Sequence, residues 1–424
     1  MDRPSRADRS TGTACTTLDA GSLPLKALHR ALQKITETLA KELACPTATA
    51  PEWSGVDWAV ARAAASIHGI SPLLADTLRW VGPPDWSEFL AEQKAHTKAR
   101  FSRISELLRL LDREARNQDL PLVALKGVAL HAREIYAPGE RPMADIDLLV
   151  RGGDSERAKQ LLESLGFRQS LHSSRHTTFE LADTQVPASL GEHASNSIKI
   201  ELHCRIREAL LLRAVEISDI IFPSRPHAGL NNYASSAALL VHLLLHAAGT
   251  LSIRELRVLH LQDIARLARR MTDADWQQLF SQAECATGGP LWWAFPALSL
   301  TARYFPGIPD WVLARSASGC HWLLRHVYRR RTISRASLSY LWITAFPGIE
   351  WASSAAEMAE YAAGRLLPSK ETLRQRREVA QAQPLVSGGS WAELSQGRRL
   401  VRWLLSRQPR HATLQPVLAA LARQ

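Results

Sequence analysis

The chain has 424 residues, 46% of them hydrophobic and 22% charged, which are ordinary values for a folded globular protein. This length favours two or more domains over a single core. Lys and Arg outnumber Asp and Glu by 52 to 41, for a net charge of +11, which favours polyanionic partners such as nucleotides or nucleic acid, or equally a solvated basic surface.

Five cysteines stand at wide and irregular spacing. This spacing argues against a disulfide framework and a Cys-x-x-Cys metal site, and it indicates a reducing compartment. The N-terminus is polar with no apolar segment behind it, and no apolar run approaches the ~20 residues of a membrane-spanning helix. We therefore expect a cytoplasmic protein without a membrane span.

Hydrophobic spacing and sequence breaks divide the chain into five predicted regions. They are a disordered N-terminus at 1–20, an N-terminal helical region at 21–115, a core domain at 116–225, a helical domain at 226–310 and a C-terminal helical region at 311–424. In the second region, apolar residues recur at helical spacing from Leu25 to Leu39. Pro72 suits the first turn of a further helix, and a long helix is predicted at Lys94–Asn117.

The stretch Pro121–Val150 has the pattern strand, Lys-Gly turn, helix, loop and strand. Its last part, Asp145-Ile-Asp147-Leu-Leu-Val150, alternates carboxylates with apolar residues. Side chains alternate across a strand, so Asp145 and Asp147 are expected on one face. Two carboxylates beside a glycine turn that opens a helix would suit divalent metals and phosphates.

A capped helix ending at Leu165 and a strand at His176–Leu181 are predicted next. A further strand with clear alternation follows them. It reads Ile-Lys-Ile-Glu-Leu-His-Cys at 198–204. Glu201 and His203 share one face of this strand, and three apolar residues share the other. On the residues alone, a single Glu on a strand is most often a solvent-facing side chain.

From Ser235 onward the pattern predicts helices to the end of the chain. His242 and His246 stand at i and i+4 in an apolar helix, and we expect them to make core or interhelical hydrogen bonds rather than to bind metal. Asp263 is expected to be structural, with a substrate contact as the alternative. The Trp residues at 292, 293, 311 and 322 are expected in the core. A Gly/Pro/Ser break at 381–390 precedes final helices predicted at Trp391–Leu405 and Ala412–Ala422.

The order of Lys126-Gly127, a helix, Arg141-Pro-Met-Ala-Asp145-Ile-Asp147 and a later Ile-Glu201-Leu-His203 strand resembles the uncharacterised nucleotidyltransferase family of the DNA polymerase β-like superfamily. The resemblance implies an α+β fold, in which a small mixed sheet carries the site and mainly helical regions flank it. One departure is the turn, because the superfamily's usual Gly-Ser or Gly-Gly is here Lys126-Gly127-Val128. The phosphate-binding hydroxyl is absent, and Lys126 offers a point charge instead.

The resemblance also implies a metal site. Asp145 and Asp147 would bind two Mg²⁺ ions, and Glu201 would be the third carboxylate, either a ligand of the catalytic metal or the base for the acceptor hydroxyl. His203 would orient a carboxylate or contact substrate, with a buried structural role as the alternative.

The expected phosphate contacts lie on the other side of the site. Gly127 would let the backbone approach the phosphates, and Lys126 and Arg141 would neutralise the triphosphate. For Arg141, an ion pair with Glu134 or Glu140 is the alternative.

Together these features predict a Mg²⁺-dependent nucleotidyltransferase that uses a nucleoside triphosphate such as ATP. The acceptor would be a hydroxyl or other group on a small molecule, a peptide or a protein. Three alternatives stay open: a catalytically silent protein that binds a nucleotide or a partner, a phosphotransferase that uses the same metal geometry, and, less favoured, a nucleic-acid-binding protein.

Overall fold

The computed structural model describes residues 24–173, 175–181, 190–374 and 394–423, and it is a mixed α+β fold. The predicted N-terminal disorder at 1–20 and the predicted break at 381–390 lie outside the described residues. Among the described helices, none combines the length and apolar character required to cross a bilayer.

Four helices precede the sheet: α1 Leu25–Ala44, α2 Gly55–Ile67, α3 Ser71–Thr77 and α4 Pro84–Asn117. The apolar spacing of α1 buries Leu28, Leu32, Ile35 and Leu39, which confirms the predicted helix. Ser54 and Asp57 form a capping box that starts α2. Pro72 lies in the first turn of α3, as predicted. Helix α4 begins earlier than the predicted Lys94, because Pro84 opens a first turn that continues without a break.

The sheet is six-stranded and mixed, with the order β3-β4-β5-β2-β1-β8. Its strands are β1 Pro121–Ala124, β2 Asp145–Leu149, β3 Phe167–His172, β4 Thr177–Leu181, β5 Lys199–His203 and β8 Gly229–Asn231. Strands β2 and β5 are parallel neighbours, as are β1 and β8, whereas the other pairs are antiparallel. A separate hairpin consists of β6 Arg207–Leu210 and β7 Arg213–Glu216.

Short helices connect the strands, and longer ones follow them. Helix α5 Lys126–Ala132 joins β1 to the loop before β2, and α6 Ser155–Ser164 joins β2 to β3. The later helices are α7 Ser218–Ile221, α8 Ser236–Ser252, α9 Val258–Ala268, α10 Asp273–Thr287, α11 Phe295–Tyr304, α12 Asp310–Ser318, α13 Trp322–Tyr328, α14 Ile333–Ala336, α15 Ala355–Leu366, α16 Gln396–Leu405 and α17 His411–Leu421.

The sheet packs one face against a compact apolar core. Ile146 and Leu148 of β2 and Ile200 of β5 lie in this core together with residues of α4 and α6. The side chains that alternate with them, including Asp145, Asp147 and Glu201, are therefore on the opposite face. A second and larger core joins the helices before and after the sheet.

Some elements differ from the prediction. Strand β3 and the β6–β7 hairpin were not predicted, and β8 extends the sheet past residue 225. Trp293 is fully buried as predicted, but Trp322 is 67% exposed and stacks on His326, so its predicted core position is wrong. Trp322 is the first residue of α13, where its side chain points away from the packed side.

Candidate active site

Three carboxylates share the face of the sheet opposite the apolar core. Strands β2 and β5 pair in parallel with Asp147 directly beside Glu201, and Asp145 lies two residues earlier on the same face of β2. Residues in register on neighbouring parallel strands project in the same direction, so the two strands bring the acidic side chains together. The predicted adjacency of the two strands is confirmed. The catalytic roles assigned to these residues stay predictions.

Lys126 reaches into this acidic cluster from the start of α5. Its Nζ donates to Oδ1 of Asp147 at 2.8 Å. Burial alone would lower the pKa of Lys126, but the charges of Asp147, Asp145 and Glu201 outweigh it and raise the pKa. The ammonium group is therefore held charged.

The backbone of Lys126 has φ +44°, in the left-handed region that a lysine rarely adopts. Its N–H donates to the hydroxyl of Tyr233 at 3.2 Å, and that hydroxyl lies 2.6 Å from Nδ1 of His242. Burial holds the pKa of His242 well below its usual value, so the ring is neutral and can accept a hydrogen bond from the Tyr233 hydroxyl. This chain of hydrogen bonds supports the unusual backbone conformation. Tyr233 lies in the loop before α8, so His242 makes the predicted core hydrogen bond and not an interhelical one.

Two histidines lie against the carboxylates. His203 Nε2 is 3.1 Å from Oδ1 of Asp147 and 3.7 Å from Oε2 of Glu201. His176 Nε2 is 3.5 Å from Oε1 of Glu201. His203 thus lies between two acidic residues, which fits the predicted role of orienting a carboxylate, whereas His176 was not predicted in the site.

The two aspartates have opposite protonation preferences. Burial, reinforced by the charges of Asp147 and Glu201, raises the pKa of Asp145 to about 7. Burial acts on Asp147 in the same direction, but Lys126 and His203 outweigh it and hold its pKa well below the usual value. His203 gains from the same contacts, since its bonds to Asp147 and Glu201 raise its pKa against the effect of burial. Ionisation is thus favoured at Asp147 and disfavoured at Asp145.

These donors fit Mg²⁺. The ion prefers hard oxygen ligands, usually one or two carboxylates together with waters and substrate phosphates. Asp145 and Asp147 supply such oxygens on one face of β2, and burial together with the neighbouring carboxylates raises the pKa of Asp145, an effect that a bound cation would oppose. The described contacts of Lys126 and His203 with Asp147 both end on its Oδ1.

The described bonds of Arg141 to carboxylates go to Asp263 and not to the three of the cluster. Its Nε and Nη2 donate to the two oxygens of Asp263 in α9 at 2.8 and 2.7 Å, and Tyr136 donates to the same carboxylate at 2.8 Å. The alternative prediction, an ion pair of Arg141 with Glu134 or Glu140, is wrong. Arg141 pairs with Asp263, and Glu140 pairs with Arg266. The expected structural role of Asp263 is supported by these three bonds.

Gly127 is packed against the side chain of Arg141. A Cβ built on Gly127 would lie 2.6 Å from Nη1 of Arg141 and 3.0 Å from Met143. The missing side chain thus makes room for the Arg141 guanidinium. The predicted approach of phosphates to this glycine stays a prediction.

Arg100 of α4 positions both acidic strands, and the sequence analysis did not identify it. The side chain is 3% exposed and donates to the backbone carbonyls of Met143 and Ala144 before β2 and of Ser197 before β5, at 2.7–2.9 Å. A single guanidinium therefore fixes where the two strands begin. The sequence carries no local signal for such a contact, because the bonded carbonyls belong to segments distant in the chain.

A family model described as an uncharacterised nucleotidyltransferase matches residues 54–306, more than half of the chain. The match includes the whole six-stranded sheet and helices α2 to α11. Neither the curated proteins nor the solved structures contain a match to the chain.

Proposed function

The chain belongs to the uncharacterised nucleotidyltransferase family, and from this premise we propose a Mg²⁺-dependent transfer of a nucleoside monophosphate from a nucleoside triphosphate to an acceptor. The acceptor is a hydroxyl or other nucleophile on a small molecule, a peptide or a protein. The observation that carries the proposal is the register of β2 and β5, which sets Asp147 beside Glu201 with Asp145 on the same face. Three acidic side chains in an otherwise basic chain suit a cation-dependent reaction of an anionic substrate.

In this reaction an acceptor oxygen attacks the α-phosphorus, the bond to the bridging oxygen breaks and pyrophosphate leaves with the electron pair. Asp145 and Asp147 would hold Mg²⁺, which would supply positive charge to the triphosphate and to the entering and leaving oxygens. Glu201 either completes the metal site or takes the proton of the acceptor hydroxyl. His203 donates to Asp147 and keeps its carboxylate oriented.

Lys126 is a cation placed to meet the triphosphate in this proposal. Its ammonium contacts Asp147 and its side chain is 18% exposed, so the ammonium can exchange the carboxylate for a phosphate oxygen. Arg141 supports the site in this proposal, because its bidentate contact with Asp263 occupies the guanidinium. It holds α9 against the loop that leads into β2.

A label-transfer assay tests the proposal. The purified full-length protein is incubated with Mg²⁺, candidate acceptors and triphosphates labelled at the α- or γ-phosphate. Transfer of the α-label with pyrophosphate release is expected, and Asp145→Asn and Asp147→Asn should each reduce it by more than about a hundredfold, which is the scale expected for metal ligands and electrostatic groups. Glu163→Gln on the exposed side of α6 is the matched control and should leave the rate unchanged.

Two other outcomes decide against nucleotidyl transfer. Transfer of the γ-label instead of the α-label would identify a phosphotransferase. Failure of every triphosphate both to bind with Mg²⁺ and to turn over would remove the basis of the proposal.

A catalytically silent nucleotide-binding protein is the second candidate, and the contact between Lys126 and Asp147 favours it. An internal ammonium on a carboxylate that would otherwise bind metal lowers the need for Mg²⁺. This candidate predicts triphosphate binding of equal affinity with and without Mg²⁺ and no label transfer. Calorimetric titration of ATP in the presence of Mg²⁺ or of a chelator separates it from the enzyme.

A further inference from the structure

A second set of possible metal ligands shares Glu201 with the carboxylate cluster. Among the described residues, His176, Glu201 and His203 form a group in which one ligand atom from each lies within 4.8 Å of the others. His176 stands just before β4, and Glu201 and His203 share one face of β5, so two adjacent antiparallel strands hold the group. No step of the proposed transfer uses His176.

The distances between these nitrogen and oxygen atoms are longer than those of hydrogen bonds and are close to those between the ligand atoms of one metal ion. His176 Nε2 is 3.5 Å from Glu201 Oε1, and His203 Nε2 is 3.7 Å from Glu201 Oε2. Hydrogen bonds between nitrogen and oxygen usually span about 2.7–3.2 Å. Tetrahedral zinc sites, with metal–ligand distances of about 2.0–2.2 Å, place neighbouring ligand atoms about 3.4 Å apart. Both observed distances are close to that edge length.

We propose that His176, Glu201 and His203 bind one Zn²⁺ ion or a similar divalent transition metal ion. Two imidazoles and one carboxylate are a known donor set for zinc sites that keep a fourth position for water or substrate. Imidazole nitrogen suits zinc and its neighbours, whereas Mg²⁺ selects oxygen. The site therefore differs in metal preference from the pair Asp145 and Asp147.

Solvent can reach the group. The side chains of His176 and Glu201 are 18% and 20% exposed, and that of His203 is 9% exposed. All three are thus shielded enough to be held in place and open enough for an ion to enter. Asp147 lies 3.1 Å from His203 Nε2, so this nitrogen must exchange its hydrogen bond to Asp147 for the metal. With the metal bound, Lys126, which donates to the same Oδ1, would orient Asp147 in place of His203.

This inference deepens the proposed function. Only the placement of the transition metal on the acceptor side rests on the proposed function. Glu201 would hold the transition metal near the acceptor, while Asp145 and Asp147 hold the Mg²⁺ that arrives with the triphosphate. Binding of the ion itself does not depend on any nucleotide.

Metal titration of the full-length, chelator-treated protein tests the site without reference to catalysis. Co²⁺ serves as the spectroscopic probe and Zn²⁺ as the calorimetric one, both with excess Mg²⁺ and no nucleotide. The expected result is one ion per chain, with the strong visible absorption of four-coordinate Co²⁺ that Zn²⁺ abolishes. His176→Ala and His203→Ala should each weaken Zn²⁺ binding by more than about a hundredfold, beyond the 10–100-fold typical of residues that only support a ligand.

The control is His172→Ala, which removes an exposed histidine from the neighbouring strand β3 and should leave binding unchanged. His176→Gln, nearer in size to histidine, is the second variant, and circular dichroism of each variant verifies folding. An absence of Co²⁺ and Zn²⁺ binding, or binding that His176→Ala and His176→Gln do not weaken, would overturn the inference.

The outcomes for the two proposals are separable. Zinc binding without label transfer from any triphosphate would retain this site and remove the proposed function. Label transfer with Mg²⁺ alone in a protein that takes up neither Co²⁺ nor Zn²⁺ would do the reverse.

Discussion

The buried contact of Asp263 with Arg141 and Tyr136 provides a quantitative test of the support beneath the candidate site. Asp263→Ala removes three hydrogen bonds of 2.7–2.8 Å and leaves the guanidinium without its partner. The Asp263 side chain is 2% exposed and that of Arg141 is 10% exposed, so water cannot replace the carboxylate. Breaking a buried pair of this kind costs about 3–5 kcal/mol, since a charge stays buried and uncompensated.

Replacing both partners should cost less than replacing one. In Arg141→Met with Asp263→Leu, the charge is gone and apolar side chains fill the space, which is often neutral or stabilising relative to the pair. The Tyr136 hydroxyl still loses its acceptor, at about 1–3 kcal/mol. We therefore expect the double variant to be more stable than Asp263→Ala by roughly 2 kcal/mol.

Urea unfolding monitored by circular dichroism measures these differences. Glu140→Gln is the control, because its ion pair with Arg266 is partly exposed and should contribute less than about 1 kcal/mol. A cost below about 1 kcal/mol for Asp263→Ala, or a double variant no more stable than the single one, would refute this account of the pair.

Three further predictions concern stability. Burial lowers the pKa of His68 to about 3 from 6.5, so at this residue only the unfolded chain gains a proton as pH falls below 6.5. His68 alone should therefore lower stability by up to about 1.4 kcal/mol per pH unit in unfolding curves, and His68→Gln should remove this share of the slope while the other buried histidines keep theirs. Arg100→Met should cost more than about 2 kcal/mol and speed amide exchange of the segments before β2 and β5, and unchanged exchange there would contradict its positioning role. Gly127→Ala should cost about 1–3 kcal/mol in thermal unfolding through its clash with Arg141, whereas Gly364→Ala in α15, with open space around it, should stabilise by about 0.5–1 kcal/mol.

The acidic strands could be predicted because their signal is local. In β2 and β5, carboxylates alternate with Ile and Leu, and a period of two in a short segment specifies both the strand and its exposed face. The order of the motifs also predicted that the two strands are neighbours, and their parallel register confirms this prediction. The helices α1 and α3 were also predictable, since the apolar spacing of α1 and the Pro72 that starts α3 lie within each helix.

Contacts between distant segments could not be predicted in this way. The expected partners of Arg141 were its neighbours Glu134 and Glu140, yet Asp263 binds it from a helix far along the chain. His176 joins Glu201 only because β4 pairs with β5, a pairing that no spacing in one sequence reveals. The exposed Trp322 illustrates the same limit, because an apolar helical segment does not specify which of its residues the fold covers.

The carbonyl contacts of Arg100 tie the starts of both acidic strands to helix α4. The ladder between β2 and β5 sets the distance between the strands, and Arg100 fixes where each strand enters that ladder. If the carboxylates hold a cation as proposed, substitutions along α4 would move their oxygens relative to one another while every carboxylate remains unaltered. The preference for one metal over another would then be open to engineering from outside the sheet.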